Sequence, residues 1–153
     1  MSGFELEDEF IARTQKNLIA IEELAKSDGS VFEVTQLINS LLALLVFPRE
    51  IFFDKIPSIN KKMMIMKGWP LPDEEGNKVT NLRELIINMR NAVAHCNIEL
   101  VNDGNEIIGI RFRNFSPYDS HREKPLWTGM YDVIALKKFV DMLLNHLQSS
   151  SRR

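Results

Sequence analysis

The sequence predicts an all-α domain, a four-helix bundle carrying a small β-hairpin insert between its last two helices. Three observations support this class. Apolar residues recur every three or four positions in four stretches, capping signatures precede three of them, and one segment alternates apolar and polar residues about a turn. At 153 residues, 44% hydrophobic and 26% charged, the chain suits one domain, expected over 1–148 with a flexible tail at 149–153.

Ser2 with Glu5 forms a capping box ahead of Leu6, Phe10, Leu18, Ile21 and Leu24, so a first helix is expected to run to about Gly29. Ser30 with Glu33 repeats that signature. The segment that follows is apolar on nearly every face as far as Phe47, where Pro48 stops or kinks a central second helix. From Pro48 to Thr80 there are four prolines, Pro48 included, and the lysines Lys61, Lys62 and Lys67, which predict irregular structure with a short helix at 49–55. Thr80 or Asn81 then caps a third helix with a stripe of Leu82, Leu85, Ile86, Met89, Val93 and Cys96. "NIELVNDGNEIIGIRFRN" alternates on both sides of Asn102-Asp103-Gly104-Asn105 and reads as the hairpin. The loop "FSPYDSHREKPLWTG" leads to a last helix with Val133, Leu136, Phe139, Val140, Leu143 and Leu147 facing inward.

Charge and composition bound the function. A net charge of −2 exerts no general pull on polyanions, so a nucleic acid must be met by a local basic patch. The single Cys96 makes neither an internal disulfide nor a multi-cysteine metal site. The acidic start "MSGFELEDEF" lacks the features of a signal peptide, and the apolar run 31–47 is broken by Glu33, Gln36, Asn39 and Ser40. A cytoplasmic location without membrane contact is expected, with no metal and no cofactor.

The informative stretch is "MRNAVAHCN", residues 89–97, late in the third helix. At about 100° per residue, Glu84, Asn88, Asn91 and His95 share a polar stripe opposite the apolar one. Arg90 projects about 140° away from His95, so one regular helix does not aim both at one point. Pairing two copies of the helix would pool their polar faces. Arginine, asparagine and histidine together suit cleavage of RNA through its own 2′-hydroxyl: histidine exchanges protons near neutrality, arginine grips the phosphate, and Asn91 holds the imidazole or the phosphate. The bland reading is a solvated helix C-terminus, where cations are favoured by the helix dipole.

"RNAVAH" at 90–95 resembles the R-x4-6-H motif of HEPN domains, including the polar residue directly after the arginine. The resemblance implies a HEPN-like helical domain and a metal-independent endoribonuclease of the toxin or phage-defence kind. It would be a homodimer through the motif helix, with an RNA substrate and any antitoxin on a separate chain. It further implies that Arg90 and His95 are catalytic and Asn91 supporting. The rival is a non-catalytic HEPN-like dimerisation module binding RNA, a nucleotide or a protein; a third reading is a small monomeric structural or immunity-type protein.

The remaining candidates each carry two readings. Arg111 and Arg113 share one face of the hairpin, as a phosphate-contacting patch or as an ordinary charged strand face. Lys61 and Lys62 are RNA contacts or loop solubility. Trp69 and Trp127, each close to proline, are expected to pack loops in preference to stacking bases, and Cys96 to behave as a small buried hydrophobe.

Overall fold

Why the chain departs from an all-α bundle is visible in how its segments pair. The computed structural model describes residues 3–46 and 56–150. The Ser2 cap, the Pro48 stop and the helix expected at 49–55 lie outside the described residues. In order these form α1 (Gly3–Ala25), α2 (Glu33–Val46), α3 (Lys61–Met66), β1 (Asp73–Gly76), α4 (Leu82–Ala94), β2 (Ile98–Asp103), β3 (Glu106–Asn114), β4 (Trp127–Asp132) and α5 (Val133–Ser150). The four strands make one antiparallel sheet in the order β1-β4-β3-β2. The fold is therefore mixed α/β, which corrects the all-α expectation. The hairpin is real, but it is half of a sheet whose other strands come from segments read as loop.

The chain divides into two compact units, one made of residues up to Ile56 and from Phe139 onward, the other of Pro57–Lys138. In the first, α1 packs with α2. Ile11 and Leu18 of α1, Leu37, Ile38, Leu41, Leu44 and Leu45 of α2, and Phe139, Val140, Leu143, Leu144 and Leu147 of α5 are buried. Gln15 donates to Asn145 Oδ1 at 3.0 Å and accepts from Gln148 Nε2 at 2.5 Å, linking α1 to α5. The first helix stops at Ala25, short of Gly29. Ser30 does not cap the second: its N–H and hydroxyl both donate to Asp28 Oδ1, and the first helical N–H bond, from Gln36, goes to the Phe32 carbonyl. A local Asx turn has outcompeted the capping box.

In the second unit β2 and β3 form the expected hairpin, with Asp103 opposite Glu106. Of the two turn residues only Gly104 has positive φ, at 57°, the condition for a II′ turn. β3 pairs β4, and β4 pairs β1. Ile110, Phe112, Trp127 and Tyr131 share one face by the two-residue period and are buried there, and α4 packs on β3. Tyr131 donates its hydroxyl to the Pro70 carbonyl at 3.0 Å, and burial, followed by the Glu74 charge, pushes its phenol pKa well up.

β1 is "DEEG", with no apolar residue to hold it, and its anchor is Glu74. Glu74 Oε2 accepts from Lys61 Nζ at 2.7 Å, and Oε1 accepts from the Val79 N–H at 3.0 Å and from Trp127 Nε1 at 2.9 Å. Its side chain is 4% exposed. Burial pushes the carboxyl pKa up, but these three donors and the Lys61 charge outweigh it and hold the group below its ordinary value. The Trp127 ring lies across Gly129, the residue opposite Glu74; a Cβ there would fall 2.3 Å from Trp127 Cζ2.

α4 begins with Asn81, whose side chain accepts from the Glu84 N–H at 2.8 Å, while Glu84 reaches back to the Thr80 N–H at 2.7 Å. Leu82, Leu85, Ile86, Met89 and Ala92 are fully buried. The four large ones contribute about 6–12 kcal/mol gross. The helix ends at His95: the Cys96 N–H bonds the Val93 carbonyl at 3.0 Å and the Asn97 N–H bonds the Ala92 carbonyl at 2.7 Å. That is a Schellman stop with Cys96 in its left-handed position, at φ 55°. Cys96 is thereby turned out and exposed, not buried in the stripe as expected.

Three outcomes follow. Gly129→Ala costs about 1–3 kcal/mol through the clash with Trp127, seen as a drop in Tm of several degrees; an unchanged Tm would contradict the ring's placement. Cys96→Gly relieves the left-handed backbone and gains about 0.5–1 kcal/mol in urea unfolding, whereas Cys96→Val loses stability. For Glu74 the folded pKa lies below the ordinary value of 4.5, so its contribution is present above that value and lost as pH falls through the folded one. The parent should therefore lose stability more steeply below pH 4.5 than Glu74→Gln does, measured by thermal unfolding across pH.

Candidate functional site

The polar stripe of α4 does not face open solvent along its length. Glu84 closes the N-terminal cap, and Asn88 donates to the Glu84 carbonyl while accepting from Asn114 Nδ2 at 2.6 Å. Asn91 and His95, further along the same stripe, line a cleft of about 430 Å³ with Asn97, Asn114, Phe115 and the loop 116–122. The volume is in the range of small-molecule and nucleotide-sized sites. His95 is exposed at the cleft, held as the C-cap by its N–H bond to the Asn91 carbonyl at 3.1 Å. The helix stop thus fixes the backbone from which its side chain projects.

The far wall is built by nested turns. The Asp119 N–H bonds the Ser116 carbonyl at 3.1 Å, the Tyr118 N–H bonds Ser116 Oγ at 3.2 Å, and the Arg122 N–H bonds the Asp119 carbonyl at 3.3 Å. Arg122 has φ 52°. The loop is closed at its base by the Leu126 N–H on the Asn114 carbonyl, at 2.8 Å. Arg122 Nη1 donates to Asn97 Oδ1 at 3.0 Å, joining this wall to the end of α4. Asn97 is itself immobilised, since its N–H bonds the Ala92 carbonyl and its carbonyl accepts from the Arg113 N–H at 2.9 Å.

The structure brings Asn91 and His95 together but leaves Arg90 off the cleft lining. Arg90 is half-buried on α4, on the side where Arg83, Ile87 and Ala94 are exposed. Arg111 and Arg113 do share a sheet face, and both donate to Glu99 Oε2, Arg111 at 3.0 Å. The Arg113 bond, then that of Arg111, holds the Glu99 carboxyl below its usual range. Lys61 is tied to Glu74, and Lys62 is exposed on α3. Lys61 and Arg111 border a separate hollow of about 550 Å³ that also holds Asp73, Glu74 and Glu75, a mixed-charge setting.

Trp69 and Trp127 are buried, so neither is presented for stacking. The aromatic that reaches the cleft is Phe115. Sequence reasoning missed Asn97, Asn114, Phe115 and Arg122 as site residues, because Asn97 is placed by the helix stop, Asn114 by the pairing that ends β3, and Phe115 and Arg122 by the tertiary closure of the 115–126 loop. Among the described residues no three His, Cys, Asp or Glu side chains are grouped to hold a metal ion, and no helix is long and apolar enough to cross a membrane.

Comparison with known proteins gives one family match. The model of a family described as HEPN pEK499 p136 matches residues 1–151. No curated protein and no solved structure matches the chain. The match runs nearly end to end, spans the α4 motif and the cleft alike, and agrees with the resemblance carried by Arg90-Asn91 and His95. The chain belongs to the HEPN pEK499 p136 family.

Proposed function

We propose that this HEPN domain is a metal-independent endoribonuclease that works as a homodimer through α4. The observation that carries the reading is His95, exposed at the rim of a nucleotide-sized polar cleft and preceded by Arg90-Asn91 on the same helix. HEPN membership supports a nuclease or RNA-binding role. In the reaction the ribose 2′-oxygen forms a new bond to phosphorus as its proton leaves. The bond from phosphorus to the 5′-oxygen breaks, and that oxygen takes up a proton. His95 carries one of the two proton transfers, and Asn91, one turn earlier, steadies the imidazole or the phosphate. Arg90 neutralises charge building up on the phosphorane oxygens.

Dimerisation answers the placement of Arg90. Beside it on α4 stands Ile87, 41% exposed, which gives the helix an apolar spot for a second copy. In such a pair Arg90 of one copy would serve the cleft of the other. An activity of this kind suits a toxin or phage-defence effector, with an antitoxin supplied as a separate chain. The second reading, a non-catalytic dimerisation module that binds RNA, a nucleotide or a protein, is favoured by the same observation that Arg90 stands off the cleft.

Cleavage of mixed single-stranded RNA in excess EDTA tests the proposal. The parent should leave 2′,3′-cyclic phosphate ends, and His95→Ala and Arg90→Ala should each fall by about a hundredfold or more while staying folded. Mixing the two variants should restore part of the activity, because the pair then holds one intact Arg90–His95 combination across chains. Equal rates for parent and variants would leave the binding module as the reading.

A further inference from the structure

Within the lining of the His95 cleft the basic side chains are those of His95 itself and Arg122, and the aromatic ring is Phe115. Arg122 comes from the β3–β4 loop, far from the motif in sequence. Its guanidinium is not loose: one nitrogen is fixed on Asn97 Oδ1 at 3.0 Å, and Asn97 is fixed at both its N–H and its carbonyl. Asp119, the acidic residue of the lining, has Oδ2 facing the Lys124 N–H at 3.5 Å. The backbone at Arg122 is left-handed, a conformation that disfavours a side-chain-bearing residue and persists where surrounding contacts enforce it. An arginine held by one nitrogen retains the other N–H groups of its planar fork for a phosphate.

We propose that Arg122 and Phe115 form the substrate-binding subsite of this cleft, Arg122 taking one backbone phosphate of single-stranded RNA while the adjacent base stacks on Phe115 beside His95. This deepens the ribonuclease reading and rests on it for the identity of the polymer. The amide side chains of Asn91, Asn97 and Asn114 supply donors and acceptors on the same walls, as edge recognition of an unpaired base requires. Arg90, off the lining, is not needed for this first contact. Binding of substrate is thus separated from the cation that stabilises the reacting phosphate.

The test uses the full chain and a short, mixed-sequence, fully 2′-O-methylated RNA, which lacks the attacking hydroxyl and is not cut. Fluorescence anisotropy at several salt concentrations gives affinity and salt slope. Arg122→Ala should weaken binding about tenfold and flatten the slope by about 0.7. Arg122→Lys should recover the slope and only part of the affinity. Phe115→Leu should weaken binding about tenfold with the slope unchanged. Should Arg122→Ala fail to fold by circular dichroism, Arg122→Gln takes its place with the same expectation.

Parent-like affinity and slope in the folded Arg122 variant would overturn the subsite, as would a parent that does not bind the probe. Cleavage of unmodified RNA, run beside it, separates the two ideas. A parent that binds through Arg122 but never cleaves keeps the subsite and sinks the ribonuclease reading. A parent that cleaves, with binding indifferent to Arg122, does the reverse.

Discussion

The unit that holds the cleft depends on one buried carboxylate. Glu74 gathers a lysine from α3, a backbone N–H from the turn after β1, and the indole of β4. Beyond its backbone pairing with β4, "DEEG" offers no apolar side chain to hold an edge strand, since its other side chains are charged or absent. Removing a buried charge from water is expensive, and only a full set of donors repays it. Here each oxygen is engaged, and the indole that supplies one donor is seated in the space left by Gly129. The result couples polar satisfaction to ring packing at one point of the sheet.

That point governs the site through β4. With β4 fixed between β1 and β3, the chain between Asn114 and Trp127 must leave and re-enter the sheet at neighbouring positions, because those two residues are register partners. The intervening loop is folded back by its nested turns, and Arg122 is delivered to Asn97. On the helix side, the Asn88–Asn114 hydrogen bond ties the stripe of α4 to the same strand end. Asn91 and His95 therefore sit on a wall whose position is set by a sheet edge on the far side of β4.

What could be read in advance was what local chemistry determines. The α4 stripe, its Asn81 start, the hairpin about Gly104 and the inward face of α5 all follow from periodicity and turn residues. β1 and β4 could not be read that way. "DEEG" has no strand pattern and "WTGMYD" follows a loop rich in turn formers, so both become strands through tertiary pairing, β1 with β4 and β4 also with β3. The helix wheel ran one residue too far at Cys96, because the left-handed stop there lacks the glycine that usually announces it. The motif residues Asn91 and His95 were legible as a pair. Arg122 was not, since its place is set by tertiary closure of a loop.

The stop at Cys96 also governs how this chain can vary in length. Only His95, Cys96 and Asn97 separate α4 from β2, and all three donate to carbonyls of the last helical turn. A residue added or lost between Arg90 and the stop would leave both ends anchored and turn the imidazole about the helix axis by about 100°. In this stretch an insertion acts as a rotation, so the spacing from arginine to histidine works as an angular setting, with the strand that follows as its reference mark.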